Sequence, residues 1–311
     1  MIRRLLCHAR FLPLLLLLCL GAGCSTPAPS LNARSGASSG AEEGAGSVSL
    51  TPISGEDLRA LPTKSGEPSV FGKAYIVVNA RSGKVMASRN EHLRLPAAST
   101  QKLLTAMTVM EGNLDQTITV SASDTYVEPT MMGIKPGERY RKRDLLEAMV
   151  VRSSNDIATC LARCHSGSEA RFVQAMNAKA RSLGMNNSRF ANAHGLTAPG
   201  SYSTAYDLAI LGRAAMNHSY LHRLTQIEDM VFRFADGRTK QIWNTNRVLK
   251  MTPYCTGLKT GYTSAAGRCL VSSGSRAGKK VVVVVLGSKQ PDVWIDSYNL
   301  LHWALDVPEA T

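Results

Sequence analysis

The chain has 311 residues, 44% of them hydrophobic, so it can form a substantial core and is not a wholly disordered protein. Its formal charge of +13 favours polyanionic surroundings. The lysines and arginines are spread along the chain without interleaved aromatic residues, which argues against nucleic acid as a partner.

The N-terminus has the layout of a bacterial secretory signal. Arg3 and Arg4 precede an apolar run over residues 11–20, and small residues follow up to position 23. The run is about ten residues long, against the roughly 20 that a helix needs to cross a bilayer, which favours export over a retained span. We therefore predict a signal peptide over residues 1–23 and a location in the bacterial cell envelope, periplasmic or otherwise extracytoplasmic.

Cys24 directly follows these small residues, an arrangement that resembles a lipoprotein signal. In such signals the cysteine receives a lipid and becomes the mature N-terminus. Gly21 stands where leucine is usual, and Leu20 lies one place too early. Either Cys24 is a lipid attachment site that tethers the protein to the membrane, which we favour, or cleavage is ordinary and leaves a free thiol. An exported protein with this charge meets anionic cell wall or lipid headgroups rather than nucleic acid.

Residues 24–68 are rich in Ser, Ala, Gly, Thr and Pro and predict a flexible tether. Order is expected from residue 69 to residue 311. Residues 74–79 are rich in β-formers, Arg81-Ser82-Gly83 predicts a turn, and residues 84–88 predict a second strand, so the ordered part should open with a hairpin.

A long stretch with helical spacing follows the hairpin. Apolar residues recur three and four apart at Leu103, Met107 and Met110, again near Leu145 and Met149, and again at Phe172, Met176 and Ala180. Ser203 and Thr204 can cap a further helix over residues 206–216, because a hydroxyl there accepts an otherwise unpaired helix N–H. We predict a helical subdomain over about residues 99–225.

The strand pattern returns in the last third of the chain, over residues 230–234, 254–262, 267–273 and 280–286. The continuous apolar run from 281 to 286 must be buried on both faces. Pro291 then opens a last helix, with an apolar stripe at Trp294, Tyr298, Leu301 and Leu305. The prediction is an α+β fold: an antiparallel sheet flanked by helices, with the helical subdomain inserted after the N-terminal hairpin.

Four cysteines remain beyond the signal and Cys24: Cys160, Cys164, Cys255 and Cys269. Four thiols do not make a disulfide framework, and neither His165 nor a second cysteine pair completes a zinc spacing around the first two. The interpretation is buried thiols and no metal site.

The first chemical motif is Ser99-Thr100-Gln101-Lys102, at the start of the first predicted helix. A spacing of three puts both side chains on one face, where a neutral lysine amine could take the proton of the serine hydroxyl. Burial or a nearby cation would have to lower the lysine pKa first. A pattern of this kind occurs by chance about once in a chain of this length, so alone it indicates little.

Two further motifs follow in order. Ser153-Ser154-Asn155 lies between two predicted helices, where a simple N-cap is the alternative interpretation. Lys259-Thr260-Gly261 lies inside a predicted strand, where a glycine weakens pairing unless another backbone lies alongside. A strand with a lysine and a hydroxyl offers an edge for an extended peptide and a cation for its terminal carboxylate.

The three motifs in this order resemble those of the low-molecular-mass penicillin-binding proteins, the serine D-alanyl-D-alanine carboxypeptidase family. The resemblance runs from about residue 74 to residue 305. It includes Leu95-Pro96-Ala97-Ala98, Asn155-Asp156, Asn192-Ala193-His194-Gly195-Leu196, and Gly257 to Thr263 leading into Ala266-Gly267-Arg268.

The resemblance implies that Ser99 attacks the penultimate carbonyl of a peptidoglycan stem peptide ending in D-Ala-D-Ala, that Lys102 takes its proton, and that Ser153 relays a proton to the leaving D-alanine. It implies substrate binding by Asn155, Lys259, Thr260, Gly261 and Tyr262, with the backbone N–H groups of Ser99 and Tyr262 as the oxyanion hole. β-Lactams would be covalent inhibitors. No metal or organic cofactor is implied, because the nucleophile, base and oxyanion donors all come from the chain.

Three alternatives stay open at this stage. The same machinery could act as a D,D-endopeptidase on cross-links, and the family's truncated members include endopeptidases, while this chain stops without the C-terminal β-domain that many carboxypeptidases carry. A class A β-lactamase would need a glutamate for deacylation, and Glu169, the only acidic residue between Asp156 and Asp207, lacks the expected Glu-x-x-Leu-Asn setting. A non-catalytic penicillin or peptide sensor is the third.

His194 and Arg268, which lie in the segments that carry the resemblance, are further candidates for the site. His194 could act as a base, but its segment is a structural loop in the family, so a packed or solvated histidine is favoured. Arg268 could add positive charge near the carboxylate or could lie on the sheet surface.

Overall fold

The computed structural model describes residues 66–307. The predicted signal peptide, Cys24 and nearly all of the predicted tether lie outside these residues. The described part opens with the predicted hairpin, in which β1 (Ala74–Asn79) pairs antiparallel with β2 (Val85–Arg89). The Asn79 side-chain oxygen accepts hydrogen bonds from the N–H groups of Arg81 and Ser82, and Gly83 adopts a φ of 76°, which closes the turn.

A five-stranded antiparallel sheet is the centre of the fold. Three late strands, β7 (Cys255–Thr263), β8 (Gly267–Arg276) and β9 (Lys279–Ser288), join the hairpin in the order β2-β1-β9-β8-β7. Strand β1 pairs with β9, so the two ends of the described chain are held together. The run from Val281 to Leu286 is buried on both faces of β9, as its composition predicted.

One face of the sheet is covered by the last helix, α8 (Asp292–Ala304). Trp294, Leu301 and Leu305 of the predicted stripe are buried there against the odd-numbered valines of β9. The Asp296 carboxylate is buried and accepts the N–H groups of Phe71 and Gly72, which ties the entry of the chain to this helix.

The other face of the sheet packs against a helical region. Its helices are α1 (Lys102–Val109), α2 (Lys142–Arg152), α3 (Asn155–Ser166), α4 (Glu169–Ser182), α5 (Ala205–Asn217) and α6 (Ser219–Thr225); a short α7 (Val248–Met251) precedes β7. Phe172, Met176 and Ala180 are buried as their spacing predicted. Thr204 caps α5 by accepting the N–H of Asp207 at 3.0 Å.

Two small two-stranded sheets depart from the sequence prediction. Residues 230–234 were predicted as a strand, but β5 (Asp229–Arg233) pairs only with β6 (Thr239–Trp243) and does not join the five-stranded sheet. Strands β3 (Thr117–Thr119) and β4 (Arg139–Arg141) form a second two-stranded sheet that periodicity missed. Strands of three residues are too short to establish a period of two, so only their tertiary partner defines them.

No helix within residues 66–307 is long and apolar enough to cross a membrane. The same residues contain no group of three or more His, Cys, Asp or Glu side chains placed to hold a metal ion.

Gly212 lets α5 approach the sheet closely. A β-carbon at this position would lie 2.7 Å from Cγ1 of Val282 and 3.1 Å from Cγ1 of Val271. Helix propensity alone would make Gly212→Ala stabilising by about 1 kcal/mol, but overpacking a buried contact costs about 1–3 kcal/mol. We therefore expect Gly212→Ala to lower the free energy of unfolding in urea.

The control is Gln174→Ala on the exposed side of α4, which should change the free energy of unfolding by no more than about 0.5 kcal/mol. An unchanged or raised stability of Gly212→Ala would show that the helix and sheet are not in close contact at this point.

Candidate active site

Ser99 lies in a tight 3₁₀ turn, Ala98–Gln101, and α1 begins at Lys102. The sequence placed the serine at the start of the helix; the turn puts it just before the regular part. Ala98 has a φ of 48°, a left-handed conformation that is strained for a residue with a β-carbon. The turn brings Ser99 Oγ to 2.9 Å from Lys102 Nζ.

The amine of Lys102 is surrounded by oxygen atoms. Besides Ser99 Oγ, it lies 2.7 Å from Oδ1 of Asn155 and 2.5 Å from the carbonyl oxygen of His194. A neutral amine has two N–H donors and one lone pair. With the donors given to the amide and carbonyl oxygens, which cannot donate, the lone pair is left for the hydroxyl proton of Ser99.

The environment of Lys102 favours this neutral form. The side chain is 1% exposed. Burial lowers its pKa well below the usual value, and the positive charge of Lys259 lowers it further, while Asp156 acts in the opposite direction. Burial also lowers the pKa of Lys259, to about 7, with a further contribution from Arg152. Two buried lysines therefore share the site, and their mutual repulsion favours loss of one proton.

The second motif lies at the junction of α2 and α3. Ser153 ends α2 with a φ of 68°, a second left-handed residue that has a β-carbon. Its hydroxyl makes no hydrogen bond with any other residue of the described part. Ser154 occupies the N-cap position of α3, as the alternative interpretation of this motif predicted, but its buried hydroxyl makes no capping hydrogen bond. Asn155 points its amide oxygen at Lys102.

The third motif lies on β7, which is an edge strand of the sheet. Lys259 is buried on the side that faces Lys102. A β-carbon on Gly261 would lie 2.8 Å from the backbone nitrogen of Ser99 and 2.9 Å from Cβ of Ala98. The glycine is therefore required because the 3₁₀ turn approaches the strand closely. A glycine inside a strand predicts such a neighbouring backbone.

Thr260, Tyr262 and Arg268 extend the third motif toward the solvent. The hydroxyl of Thr260 is 2.5 Å from that of Thr245, a neighbour that the sequence did not identify. Tyr262 is 53% exposed, and the guanidinium of Arg268 lies 4.2 Å from the centre of its ring. Arg268 is directly opposite Tyr262 in the β7–β8 pairing, and no carboxylate of the described residues forms an ion pair with it.

The loop around His194 is the functional element that the sequence reasoning ranked too low. The histidine ring is a weak base, because burial and Lys102 lower its pKa to about 3. Its backbone carbonyl is the part that contacts Lys102. A β-carbon on Gly195 would lie 2.3 Å from the carbonyl oxygen of Ala98, and Gly195 has a φ of 93°. In the sequence, the glycine next to His194 is the one signal that another segment approaches this loop closely.

Glu169 fixes this loop rather than the reacting groups. Its carboxylate accepts the N–H of Ala193 at 3.0 Å and lies 3.7 Å from Nε2 of His194. The 192–197 segment is also linked to β7 by a hydrogen bond from Thr197 to Thr263. The carboxylate thus supports the wall of the site that carries the His194 carbonyl.

The arrangement is suited to nucleophilic acyl transfer. A serine hydroxyl is activated by a buried amine, a second cation lies behind it, and an edge strand runs alongside. All of the groups belong to the chain itself.

Comparisons with known proteins give a consistent result. A family model described as D-alanyl-D-alanine carboxypeptidase matches residues 62–290. The chain is 32% identical over 236 residues to the D-alanyl-D-alanine carboxypeptidase DacF of Bacillus subtilis, covering 73% of this chain and 60% of that protein. It is 35% identical over 235 residues to the D-alanyl-D-alanine endopeptidase of Escherichia coli, covering 73% of this chain and 74% of that protein.

The fold is similar to that of a solved D-alanyl-D-alanine carboxypeptidase from Mycobacterium tuberculosis, with a TM-score of 0.74 and 31% identity over 80% of this chain and 96% of that one. The likeness confirms the α+β prediction.

The buried lysines make stability depend on pH. The pKa of Lys259 is about 7 in the folded protein, and an amine in the unfolded chain has a pKa of about 10.4. Between these values only the unfolded state holds the proton, so raising the pH favours the folded state. Relative to Lys259→Met, the wild-type free energy of unfolding should rise with pH by at most about 1.4 kcal/mol per unit above pH ~7.

Urea unfolding at several pH values measures this difference. Lys250→Met, at an exposed lysine, is the control and should run parallel to the wild type. A Lys259→Met curve parallel to the wild type would mean that Lys259 is not deprotonated on folding.

Proposed function

The chain belongs to the D-alanyl-D-alanine carboxypeptidase family, and from that premise we propose that it is a serine D-alanyl-D-alanine carboxypeptidase that trims peptidoglycan stem peptides. The chain spans 60% of the length of the Bacillus subtilis relative, and the activity is proposed for the catalytic part that is described here. The observation that carries the proposal is the 2.9 Å contact between Ser99 Oγ and the buried amine of Lys102.

Acylation begins with proton transfer from Ser99 Oγ to Lys102 Nζ. The oxygen attacks the carbonyl of the penultimate D-alanine, and the negative charge that develops is stabilised by the backbone N–H groups of Ser99 and Tyr262. Gly261 supports this assignment, because its lack of a side chain lets β7 pass beside the Ser99 turn. The amide oxygen of Asn155 contacts Lys102, so the NH₂ group of the same amide can donate a hydrogen bond to the substrate carbonyl.

Collapse of the tetrahedral intermediate breaks the amide bond, and the leaving nitrogen needs a proton. The Ser153 hydroxyl is available for this relay, since no described residue engages it. Water then hydrolyses the acyl-enzyme at Ser99, and the Lys102 amine removes the proton of the water.

The terminal carboxylate of the substrate is bound by Lys259 and Thr260. A carboxylate that arrives next to Lys259 favours the charged form of the lysine, so binding the anion reverses part of the effect of burial on its pKa. Arg268 adds positive charge on the same side as Thr260, since β7 and β8 pair with Tyr262 opposite Arg268. Tyr262 forms the exposed rim of this subsite.

The proposed partners follow from this chemistry. β-Lactams acylate Ser99 as analogues of the D-Ala-D-Ala terminus, and the acyl-enzyme is long-lived because Glu169 is engaged with the His194 loop. The protein acts in the bacterial cell envelope after export by the N-terminal signal, with Cys24 as a lipid anchor to the membrane. Both steps rest on the sequence pattern.

A D,D-endopeptidase that cleaves peptidoglycan cross-links is the second candidate. It is favoured by a specific observation: the identity to the Escherichia coli endopeptidase is 35%, against 32% for the Bacillus subtilis carboxypeptidase, and the chain covers 74% of the former protein. A cross-link presents the same D-alanyl carbonyl to Ser99 with a bulkier leaving group.

The proposed proton relay is tested with a matched pair of adjacent serines. Ser153→Ala should reduce release of D-alanine from an acyl-D-Ala-D-Ala peptide by at least about 100-fold, the range of a lost proton-transfer group. Ser154→Ala should change it by less than about threefold, because the buried Ser154 hydroxyl has no partner to lose. Equal losses in both variants would contradict the assignment.

The nucleophile and base are tested with the same peptide and fluorescent penicillin. Ser99→Ala should abolish covalent labelling, and Lys102→Ala should abolish D-alanine release while the thermal melting curve shows a folded protein. Release that persists in Lys102→Ala would overturn the proposal. Binding of peptide without release by the wild type would identify a non-catalytic sensor.

The two candidate bonds are separated by digestion of purified muropeptides. A carboxypeptidase releases D-alanine from uncross-linked pentapeptides, whereas an endopeptidase converts cross-linked dimers to monomers. Liquid chromatography with mass detection of both substrates, at equal enzyme concentration, gives the ratio of the two rates. A faster rate on the cross-linked dimers than on the pentapeptides would identify the protein as an endopeptidase.

A further inference from the structure

We propose that Thr245 is a positioning residue for the carboxylate subsite. Its hydroxyl holds the hydroxyl of Thr260 in the orientation that donates a hydrogen bond to the terminal carboxylate of the substrate. The inference rests on the proposed function, because it concerns how the same site recognises a peptide with a free carboxyl terminus. Thr245 lies outside the three sequence motifs, in the turn between β6 and α7.

The first observation is a short contact between two hydroxyl groups. Thr245 Oγ1 lies 2.5 Å from Thr260 Oγ1, at the short end of the range for hydrogen bonds between hydroxyl oxygens. Thr260 is 9% exposed, and within residues 66–307 no other group forms a hydrogen bond with its hydroxyl. Thr245 is therefore the one protein partner in the described chain that sets the direction of the Thr260 hydroxyl.

The protons of this pair are placed by the ligand. A hydroxyl has one proton and two lone pairs, so one member of the pair donates and the other accepts. A carboxylate only accepts hydrogen bonds. Once the carboxylate of the substrate takes the proton of Thr260, the proton between the two hydroxyl oxygens must come from Thr245. The result is a chain from Thr245 through Thr260 to the carboxylate, in which each hydrogen bond polarises the next.

The second observation is the rigid turn that carries Thr245. Asn244, on one side of it, is buried, and its amide nitrogen donates to the carbonyl oxygens of Thr225 at 3.2 Å and Ile227 at 2.9 Å. These bonds attach the turn to the end of α6. The side-chain oxygen of Asn244 accepts the N–H of Asn246 at 2.9 Å, which closes the turn around Thr245.

Asn246 fixes the other end of the same turn. Its side chain is buried, and the side-chain oxygen accepts the N–H of Val248, the first residue of α7, at 3.1 Å. Its amide nitrogen lies 3.9 Å from Sγ of Cys255, the first residue of β7. The turn is thus attached to the strand that carries Thr260. A side chain on so constrained a backbone is in place before the substrate arrives.

Lys259 and the hydroxyl pair have different parts in binding the carboxylate. The ammonium of a lysine is a compact charge that attracts an anion without fixing its orientation, whereas a hydroxyl of fixed direction also sets where the carboxylate oxygen lies. Loss of the Thr245 hydroxyl should therefore impair acyl donors that have a free carboxylate. It should not impair the reaction of Ser99 with a donor that lacks one, because Lys102 does not contact Thr245.

The test uses two variants that differ only in the hydroxyl. Thr245→Ala and Thr245→Ser both lack the γ-methyl group. Benzylpenicillin and its methyl ester are acyl donors that differ in whether the carboxylate is free, and intact-protein mass spectrometry follows acylation by each. With benzylpenicillin, Thr245→Ala should react about five- to tenfold more slowly than Thr245→Ser, the effect of about one hydrogen bond. With the methyl ester, the two rates should agree within about twofold.

The control is Thr256→Ala, which removes a different hydroxyl from β7. Thr256 Oγ1 lies 2.8 Å from Ser273 Oγ, a second hydroxyl pair on the same strand. This variant should keep the wild-type rates with both donors, and thermal melting confirms that each variant is folded. Equal slowing of Thr245→Ala with both donors would show a general structural effect. Equal benzylpenicillin rates of Thr245→Ala and Thr245→Ser would show that the hydroxyl is unused. Either result would overturn the proposal.

A double-mutant cycle separates positioning from direct binding. If Thr245 acts through Thr260, then Thr245→Ala should slow acylation by benzylpenicillin by less than about twofold once Thr260→Ala is present. A loss in the double variant equal to the product of the two single losses would mean that Thr245 binds the carboxylate by itself. That outcome would contradict the positioning role.

Release of D-alanine by the wild type separates this inference from the proposed function. A wild type that is acylated by benzylpenicillin but releases no D-alanine would contradict the peptidase function alone, because the penicillin comparison still measures the Thr245 hydroxyl. A wild type that releases D-alanine while Thr245→Ala and Thr245→Ser acylate equally fast would overturn this inference alone. A wild type that does neither would overturn both.

Discussion

The burial of the Lys102 amine against the Ser99 hydroxyl is the interaction on which the site depends. An amine in this position is useful only without its proton, and water would restore the proton. The protein excludes water by surrounding Lys102 with α1, α3 and the 192–197 loop, and it satisfies the two N–H groups with Asn155 and His194. Lys259 adds a repulsive charge from β7. Each contribution comes from a different part of the chain, so only the folded protein favours the neutral form of this amine.

The same constraint explains where the backbone is strained and where glycine is required. Ala98 and Ser153 adopt left-handed conformations beside the reacting groups, and Gly195 and Gly261 allow two segments to approach the 98–100 turn more closely than a β-carbon permits. These positions bring a loop, an edge strand and two helix junctions together around one hydroxyl. The five-stranded sheet and the helices behind it provide the rigid support that such close approach requires.

Burial and charge together set the protonation state of the two lysines at the site. Lys102 is buried beside a second cation and a hydroxyl that holds its proton tightly, and both conditions favour the neutral amine. Burial lowers the pKa of Lys259 as well, to about 7, so this lysine can regain its charge when an anion arrives beside it.

Much of the fold and most of the site composition follow from the sequence alone. The β1–β2 hairpin, the doubly buried strand β9, the capped helix α5 and the apolar stripe of α8 each have a local periodicity or turn signal, and Ser99, Ser153 and Lys259 lie in recognisable motifs. Only the tertiary structure places β5 with β6 outside the main sheet, because pairing is a choice between distant segments. Only it shows the His194 carbonyl on Lys102 and the Glu169 carboxylate on the loop that carries this carbonyl. A sequence specifies which groups are present, but pKa values and hydrogen bonds depend on burial and on neighbours that the chain brings together from far apart.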